Sequence, residues 1–193
     1  MTPADAAWLE DALPAAQVGQ PWALQLLYQE LAPRVHGYLL ARGASEPEDL
    51  TSEVFLTVFS KLATVTGGPE GLRTMVFSIA HARLVDDLRR QARRGPAVSY
   101  ESWHDGRTAA SSEDEAVDRI GTAEVRALLD LLPADQRDVL LMRLVADLSI
   151  EQVAVALGKS AGAVKQLQRR GLLALRVRLQ EDRAILTPAA VTS

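Results

Sequence analysis

Lys165, Gln166 and Arg169 fall on one side of a helical wheel, with Arg170 at its flank, while Val164, Leu167, Gly171 and Leu175 fall on the other. Arginine and lysine reach guanine edges or phosphates, and glutamine can pair bidentately with adenine, so the first set has the chemistry to read a DNA groove. Ser160 stands where it would cap this helix, whose N-terminus favours a phosphate. Upstream, Val153, Ala154 and Leu157 form an apolar face, Ser149 and Gln152 have capping-box spacing, and Gly158 permits a turn. SIEQVAVALGKSAGAVKQLQRR at 149–170 therefore has the spacing of a helix-turn-helix. Alone, such a motif says only that DNA is bound, and an ordinary helical hairpin with a solvated basic face carries the same pattern.

A second basic segment lies far upstream. In FSIAHARLVDDLRRQARR at 77–94, Phe77, His81, Leu84, Val85 and Leu88 share one side of the wheel. Arg83, Asp86, Arg89, Arg90 and Arg93 share the other. Pairing of Asp86 with Arg90 and of Asp87 with Arg83 at helical spacing would make part of this charge intrahelical support. The net charge of −4 hides this segregation. Residues 1–70 carry 3 basic and 9 acidic residues, 71–95 carry 6 and 2, 96–124 carry 2 and 7, and 159–183 carry 7 and 2. A local basic patch, rather than the sum, supplies a footprint for phosphates.

The elements that must position these faces are helical almost throughout, since Ala, Leu, Glu, Gln and Arg dominate and β-branched alternation is scarce. Residues 1–20 read as an N-terminal extension. A helical pair is expected over 21–42, interrupted near Pro33, because an interior proline lacks its amide and clashes with the preceding turn. Ser45 and Glu48 have capping-box spacing before a helix at about 47–62, with Leu50, Val54, Val58 and Leu62 on one face and Phe55 and Phe59 beside them. TVTGGP at 64–69 breaks it, and a longer helix runs to residue 94. The segment 95–121 is polar, acidic and rich in small residues, a flexible linker in which Tyr100 and Trp103 are the unusual members. A second helical block spans 122–182, and 183–193 reads as a tail. The fold expected is all-α, two small helical domains joined by an acidic tether.

Several function classes fall away. No apolar run approaches the roughly 20 residues of a membrane helix, and acids stand where a signal peptide carries bases, so the chain is expected in the cytoplasm without membrane insertion. There is no cysteine, and His36, His81 and His104 are far apart, so neither a metal site nor any other cofactor is expected. Ser, His and acid residues form no catalytic motif and no Gly-rich phosphate loop is present, so an enzyme is not expected and no catalytic residue is assigned.

DLTSEVFLTVF at 49–59, then FSIAHARLVDDLRR, then LPADQRDVLLMRLVADLSIEQVAVALGKSAGAVKQLQRRGLLALR at 132–176 together resemble an extracytoplasmic-function (group IV) sigma factor of bacterial RNA polymerase. The resemblance covers about 21–94 and 122–181. It implies a sigma-2-like bundle at 21–94 that holds the polymerase clamp and opens the minus-10 element, and a sigma-4-like domain at 122–182 that reads the minus-35 duplex. Partners implied are core polymerase, through its beta-prime clamp and beta subunit, promoter DNA and an anti-sigma factor. Carried over by position, Asp49, Glu53 and Phe55 would contact polymerase. Arg73, Arg83, Arg89 and Arg90 would serve the minus-10 element, beside a pocket for an unstacked nucleotide formed by loop 64–70 and the helix after it. Ser160, Lys165, Gln166, Arg169 and Arg170 would serve the minus-35 element. Ser52 departs from the family's glutamine, Met75 from its tryptophan and Ala82 from its asparagine. The alternative is a stand-alone helix-turn-helix regulator that binds duplex DNA without polymerase, which leaves the acidic helix at 49–59 and the arginine-rich helix at 83–94 unexplained.

Overall fold

The computed structural model describes residues 3–94 and 127–186, with the side chains of 9–94 and 127–180. Every regular element among these residues is a helix. Helices α1 (Pro3–Gln17), α2 (Pro21–Ala41), α3 (Pro47–Lys61) and α4 (Gly68–Arg94) form a first bundle, with a 3-10 turn at Leu62–Thr64. A helical turn at 127–130 leads to α5 (Ala134–Leu144), α6 (Ile150–Leu157) and α7 (Ala161–Leu186), which form the second. The linker expected at 95–121, with Tyr100 and Trp103, lies outside the described residues. Of the tail expected at 183–193, the first part continues α7 and the remainder, 187–193, is likewise outside.

Three sequence expectations need correction. The N-terminal segment is not an appendage: α1 buries Leu9, Ala12, Leu13 and Ala16, an i, i+3, i+4, i+7 stripe, against α2 and α4. Its last residue, Gln17, donates through Nε2 to the carbonyls of Leu62 (3.3 Å) and Val65 (2.9 Å), tying α1 to the turn after α3. Next, α2 runs unbroken through Pro33. An interior proline costs about 3 kcal/mol. Burial of Leu27, Leu31, Val35 and Leu39 offsets it, because each fully buried aliphatic side chain contributes about 1.5–3 kcal/mol, while Pro33 itself faces solvent. Finally, Ser45 does not cap α3, which starts on Pro47, a residue suited to a position whose amide has no partner. The amide and hydroxyl of Ser45 donate instead to Asp87 on α4, at 3.0 and 2.8 Å. Burial opposes ionisation of Asp87, but these two bonds, Gln91 and the nearby Arg90 outweigh it and hold the carboxyl below its usual range.

In the second bundle the expected local chemistry is present. Ser149 accepts from the Gln152 amide at 3.1 Å and Gln152 Oε1 accepts from the Ser149 amide at 2.6 Å, a complete capping box on α6. Gly158 ends α6 with φ 61° and ψ 34°, the left-handed conformation that favours glycine. Ser160 Oγ accepts from the Ala163 amide at 3.2 Å and starts α7. The two bundles are in contact: α6 lies along α4, and α5 meets α2.

Candidate nucleic-acid and polymerase surfaces

The turn geometry just described fixes the azimuth of α7. Val164 and Gly171 are buried and Leu167 and Leu175 half-buried, so Lys165, Gln166, Arg169 and Arg170 are all exposed on the opposite face. Ser160 is exposed at the N-terminus of the same helix. The five residues expected to face duplex DNA are therefore presented together on one helix. No ion pair ties Lys165, Arg169 or Arg170 among the described residues, whereas Lys159, one residue before the cap, pairs with Asp135 at 2.9 Å.

On α4 the expected residues separate. Arg89 and Arg90 are exposed near its C-terminal end, paired at 3.6 Å with Asp86 and Asp87 at i,i+3 spacing. Arg83 is half-buried and reaches across to α3, its Nη2 donating to Thr57 Oγ1 at 3.1 Å and its Nη1 lying 3.9 Å from Glu53. The pairing expected between Arg83 and Asp87 does not form, because Asp87 is turned inward to Ser45. Arg73 is only 6% exposed, so in this arrangement it belongs to the interior of α4 and not to an open DNA-facing surface.

Between the 64–67 turn and α4 lies a cavity of about 550 Å³. Thr64, Thr66, Met75, Ser78 and Ala82 line it, and Val155 of α6 joins them from the second bundle. Met75 and Ala82, two of the three departures from the family pattern, thus face one space. Gly71 sets the loop's approach. A Cβ there would stand 1.8 Å from the Thr66 carbonyl oxygen, a distance no methyl group tolerates. Gly71→Ala is expected to displace the loop and cost on the order of 2 kcal/mol, as overpacking does. A urea midpoint equal to that of the unaltered chain would show that the loop has another path.

On α3, Asp49 and Glu53 are exposed, as expected for a docking face. Phe55 is not part of it. At 2% exposure it is core, stacked edge-on against Tyr28 at 4.9 Å and tilted against Phe59 at 5.8 Å. The exposed apolar residue is Leu56, 72% accessible and one turn beyond Ser52. Sequence reasoning passed over it, although its place off the Leu50–Val54–Val58 stripe is the signal that would have found it.

A second omission is a buried polar cluster. The Tyr38 hydroxyl donates to Asp138 Oδ1 at 2.9 Å, Arg42 Nε donates to the same oxygen at 2.5 Å, and Arg42 Nη2 donates to Oδ2 at 3.3 Å. His81 Nδ1 lies 2.9 Å from the Tyr38 hydroxyl. With the phenolic proton committed to Asp138, this ring nitrogen is the donor. Burial, then the Asp138 carboxylate, raise the Tyr38 pKa well above its ordinary value, which keeps the phenol protonated. Burial lowers the pKa of His81, which Asp138 only partly offsets, so the imidazole is neutral at pH 7.

Comparison with known proteins agrees with this division into two helical units. Residues 27–94 match the family model described as Sigma-70 region 2, and 122–175 match Sigma-70, region 4. The chain is 31% identical over 175 residues to the ECF RNA polymerase sigma factor SigD of Mycobacterium tuberculosis, covering 87% of this chain and 82% of that one. It is 32% identical over 162 residues to the ECF RNA polymerase sigma factor SigX of Bacillus subtilis, covering 81% and 83%. Among solved structures, CnrH in complex with the cytosolic domain of CnrY superposes with a TM-score of 0.67 at 19% identity, covering 90% of this chain and 98% of that one. RpoE bound to the anti-sigma factor NepR from Bartonella quintana superposes with a TM-score of 0.62 at 18% identity, covering 81% and 96%. With both sigma regions matched in order, and with relatives above 30% identity aligned over most of their length, the chain belongs to the extracytoplasmic-function sigma factors, the subunits that bind core RNA polymerase and direct it to promoters.

Proposed function

We propose that α3 docks on core polymerase through Asp49, Glu53 and Leu56, that the cavity beside the 64–67 turn receives an unstacked base of the minus-10 element, and that Lys165, Gln166, Arg169 and Arg170 read the minus-35 duplex. Arg89 and Arg90 track the phosphates flanking the minus-10 base, and Ser160 positions a phosphate at the start of α7. Subunit recruitment, rather than any reaction of its own, is the role of such a chain, which works in the cytoplasm where polymerase is. No helix among the described residues is long and apolar enough to cross a membrane. An anti-sigma factor is the further partner, as it is for the RpoE relative from Bartonella quintana.

One observation carries the reading over that of a stand-alone DNA-binding regulator. Leu56 is 72% exposed on a helix face that also presents Asp49 and Glu53. DNA is an anion and repels such a face, so its occupant is a protein with basic groups around an apolar seat. Charge reversal at an interface costs about 2–5 kcal/mol when the partner charge is desolvated. The Asp49→Lys, Glu53→Lys double variant, with its helical signal intact, is therefore expected to bind core polymerase at least tenfold more weakly. Unchanged affinity would remove α3 from the interface.

A further inference from the structure

We propose that Asp138, Arg42 and Tyr38 form a latch that holds the second bundle against the first in the free protein, placing α6 over the promoter-opening cavity until polymerase separates the two. The proposal rests on the sigma-factor reading and concerns the state before polymerase is met.

Asp138 belongs to α5, Tyr38 to α2, Arg42 to the cap just after α2, and His81 to α4, so this cluster joins the two bundles across sequence separations of 96 and 100 residues. Asp138 is 4% exposed and Arg42 8%. A carboxylate and a guanidinium this buried repay their desolvation only with close, directional partners, which here are three hydrogen bonds to the two Asp138 oxygens. The net contribution of such a pair is small, but its loss of geometry is costly, so the pair selects one docking orientation. Separation of the bundles returns both groups to water, so the latch can release without stranding a buried charge.

What the orientation does is visible at the other end of the interface. Gln152 Nε2 donates to the Glu70 carbonyl at 3.0 Å, in the first turn of α4, and Val155 lines the cavity together with Met75 and Ala82. A DNA strand entering that cavity meets α6. The minus-10 and minus-35 elements are about 25 base pairs apart, on the order of 85 Å along a duplex at roughly 3.4 Å per step. In the latched chain the cavity and the helix that precedes the recognition helix touch. Both elements cannot be engaged at once in this state. The 32 residues from 95 to 126 that connect the bundles reach at most about 110 Å when extended, enough to span the two elements after release.

The chain has no cysteine, which makes a cross-link test clean. A Cβ on Gly37 of α2 would lie 3.7 Å from Val145 Cγ1, next to the C-terminal end of α5, so the two positions are in van der Waals contact across the bundles and suit a cross-link. In the full-length Gly37→Cys, Val145→Cys double variant the disulfide is expected to form readily under mild oxidation. The oxidised chain, mixed with core polymerase and promoter template, is expected to initiate at least tenfold less than the same chain after reduction. Each single variant should respond to neither treatment. Failure of the disulfide to form in the folded chain, or full activity of the cross-linked chain, would overturn the latch. Should the reduced chain and the unaltered chain both fail to initiate, the sigma-factor reading itself falls, and the latch with it. A second variant needs no cross-link: Asp138→Asn, verified as helical, is expected to show a larger radius of gyration in small-angle scattering. An unchanged radius would also overturn the latch.

Discussion

Phe77→Ala is expected to lower the unfolding free energy of the first bundle by about 3–5 kcal/mol, the usual cost of truncating a fully buried phenylalanine. Phe77 is 0% exposed and stands edge-on to Tyr38, their ring centroids 6.0 Å apart. Its neighbours Val76 and Ala80 are equally buried, so little can collapse into the space it leaves. The loss should exceed a simple transfer cost for a second reason. Tyr38 carries the hydroxyl that donates to Asp138, and a tyrosine no longer held by Phe77 loses the orientation of that bond. Urea unfolding followed by circular dichroism measures the change. A loss below about 1 kcal/mol would mean that the packing around α4 is not as described.

Replacement of Lys165, Gln166, Arg169 and Arg170 together by alanine is expected to abolish selection by the minus-35 element, reducing initiation at dependent promoters by a hundredfold or more. A good bidentate base contact is worth about 1–3 kcal/mol, and each lost phosphate contact lowers the salt slope of binding by roughly 0.9. The single variants should separate these roles. Gln166→Ala would relax preference at one base pair, while loss of a phosphate-contacting arginine would weaken all promoters alike and flatten the salt dependence. The fold is expected to survive, because all four side chains are exposed. Their affinity for polymerase in the absence of DNA should be unaltered. Retention of promoter-specific transcription by the fourfold variant would show that α7 is not the reading helix.

How far the sequence reached can be seen element by element. The helix-turn-helix was legible because each of its signals is local: Ser149 with Gln152, Gly158 and Ser160 act within a few residues, and the wheel of α7 follows from helical geometry. α1 was not legible, because its buried residues include two alanines and its stripe carries weight only against α2 and α4. Pro33 misled for the reverse reason, since a local penalty was outweighed by tertiary burial. Asp87 and Arg83 were paired on paper by spacing along one helix. In the folded chain Arg83 reaches α3, and Asp87, beside Arg90 and Gln91 on its own helix, accepts from Ser45 before α3, contacts that no periodicity announces. Phe55 was placed at a surface by resemblance, yet Tyr28 and Phe59 enclose it.

The interface between the bundles was the least legible feature. Asp138 sits in the apolar run DVLLM, and Arg42 follows YLLA, so each looks like a polar interruption at the end or start of a helix. Their buried meeting depends on contacts about 100 residues apart, and a single sequence carries no trace of such a pairing. The same is true of Val155, which reads as an ordinary member of an apolar α6 until its place at the cavity is seen.

The most direct measurement is transcription in vitro from total genomic DNA by core polymerase with and without the purified full-length chain, with transcript starts mapped. The account predicts a discrete set of starts that appear only when the chain is added, sharing one minus-35 and one minus-10 motif, and that are lost with the Asp49→Lys, Glu53→Lys variant. Starts that are the same with and without the chain, together with tight binding of the free chain to specific duplexes, would contradict it and identify a regulator that works without joining polymerase.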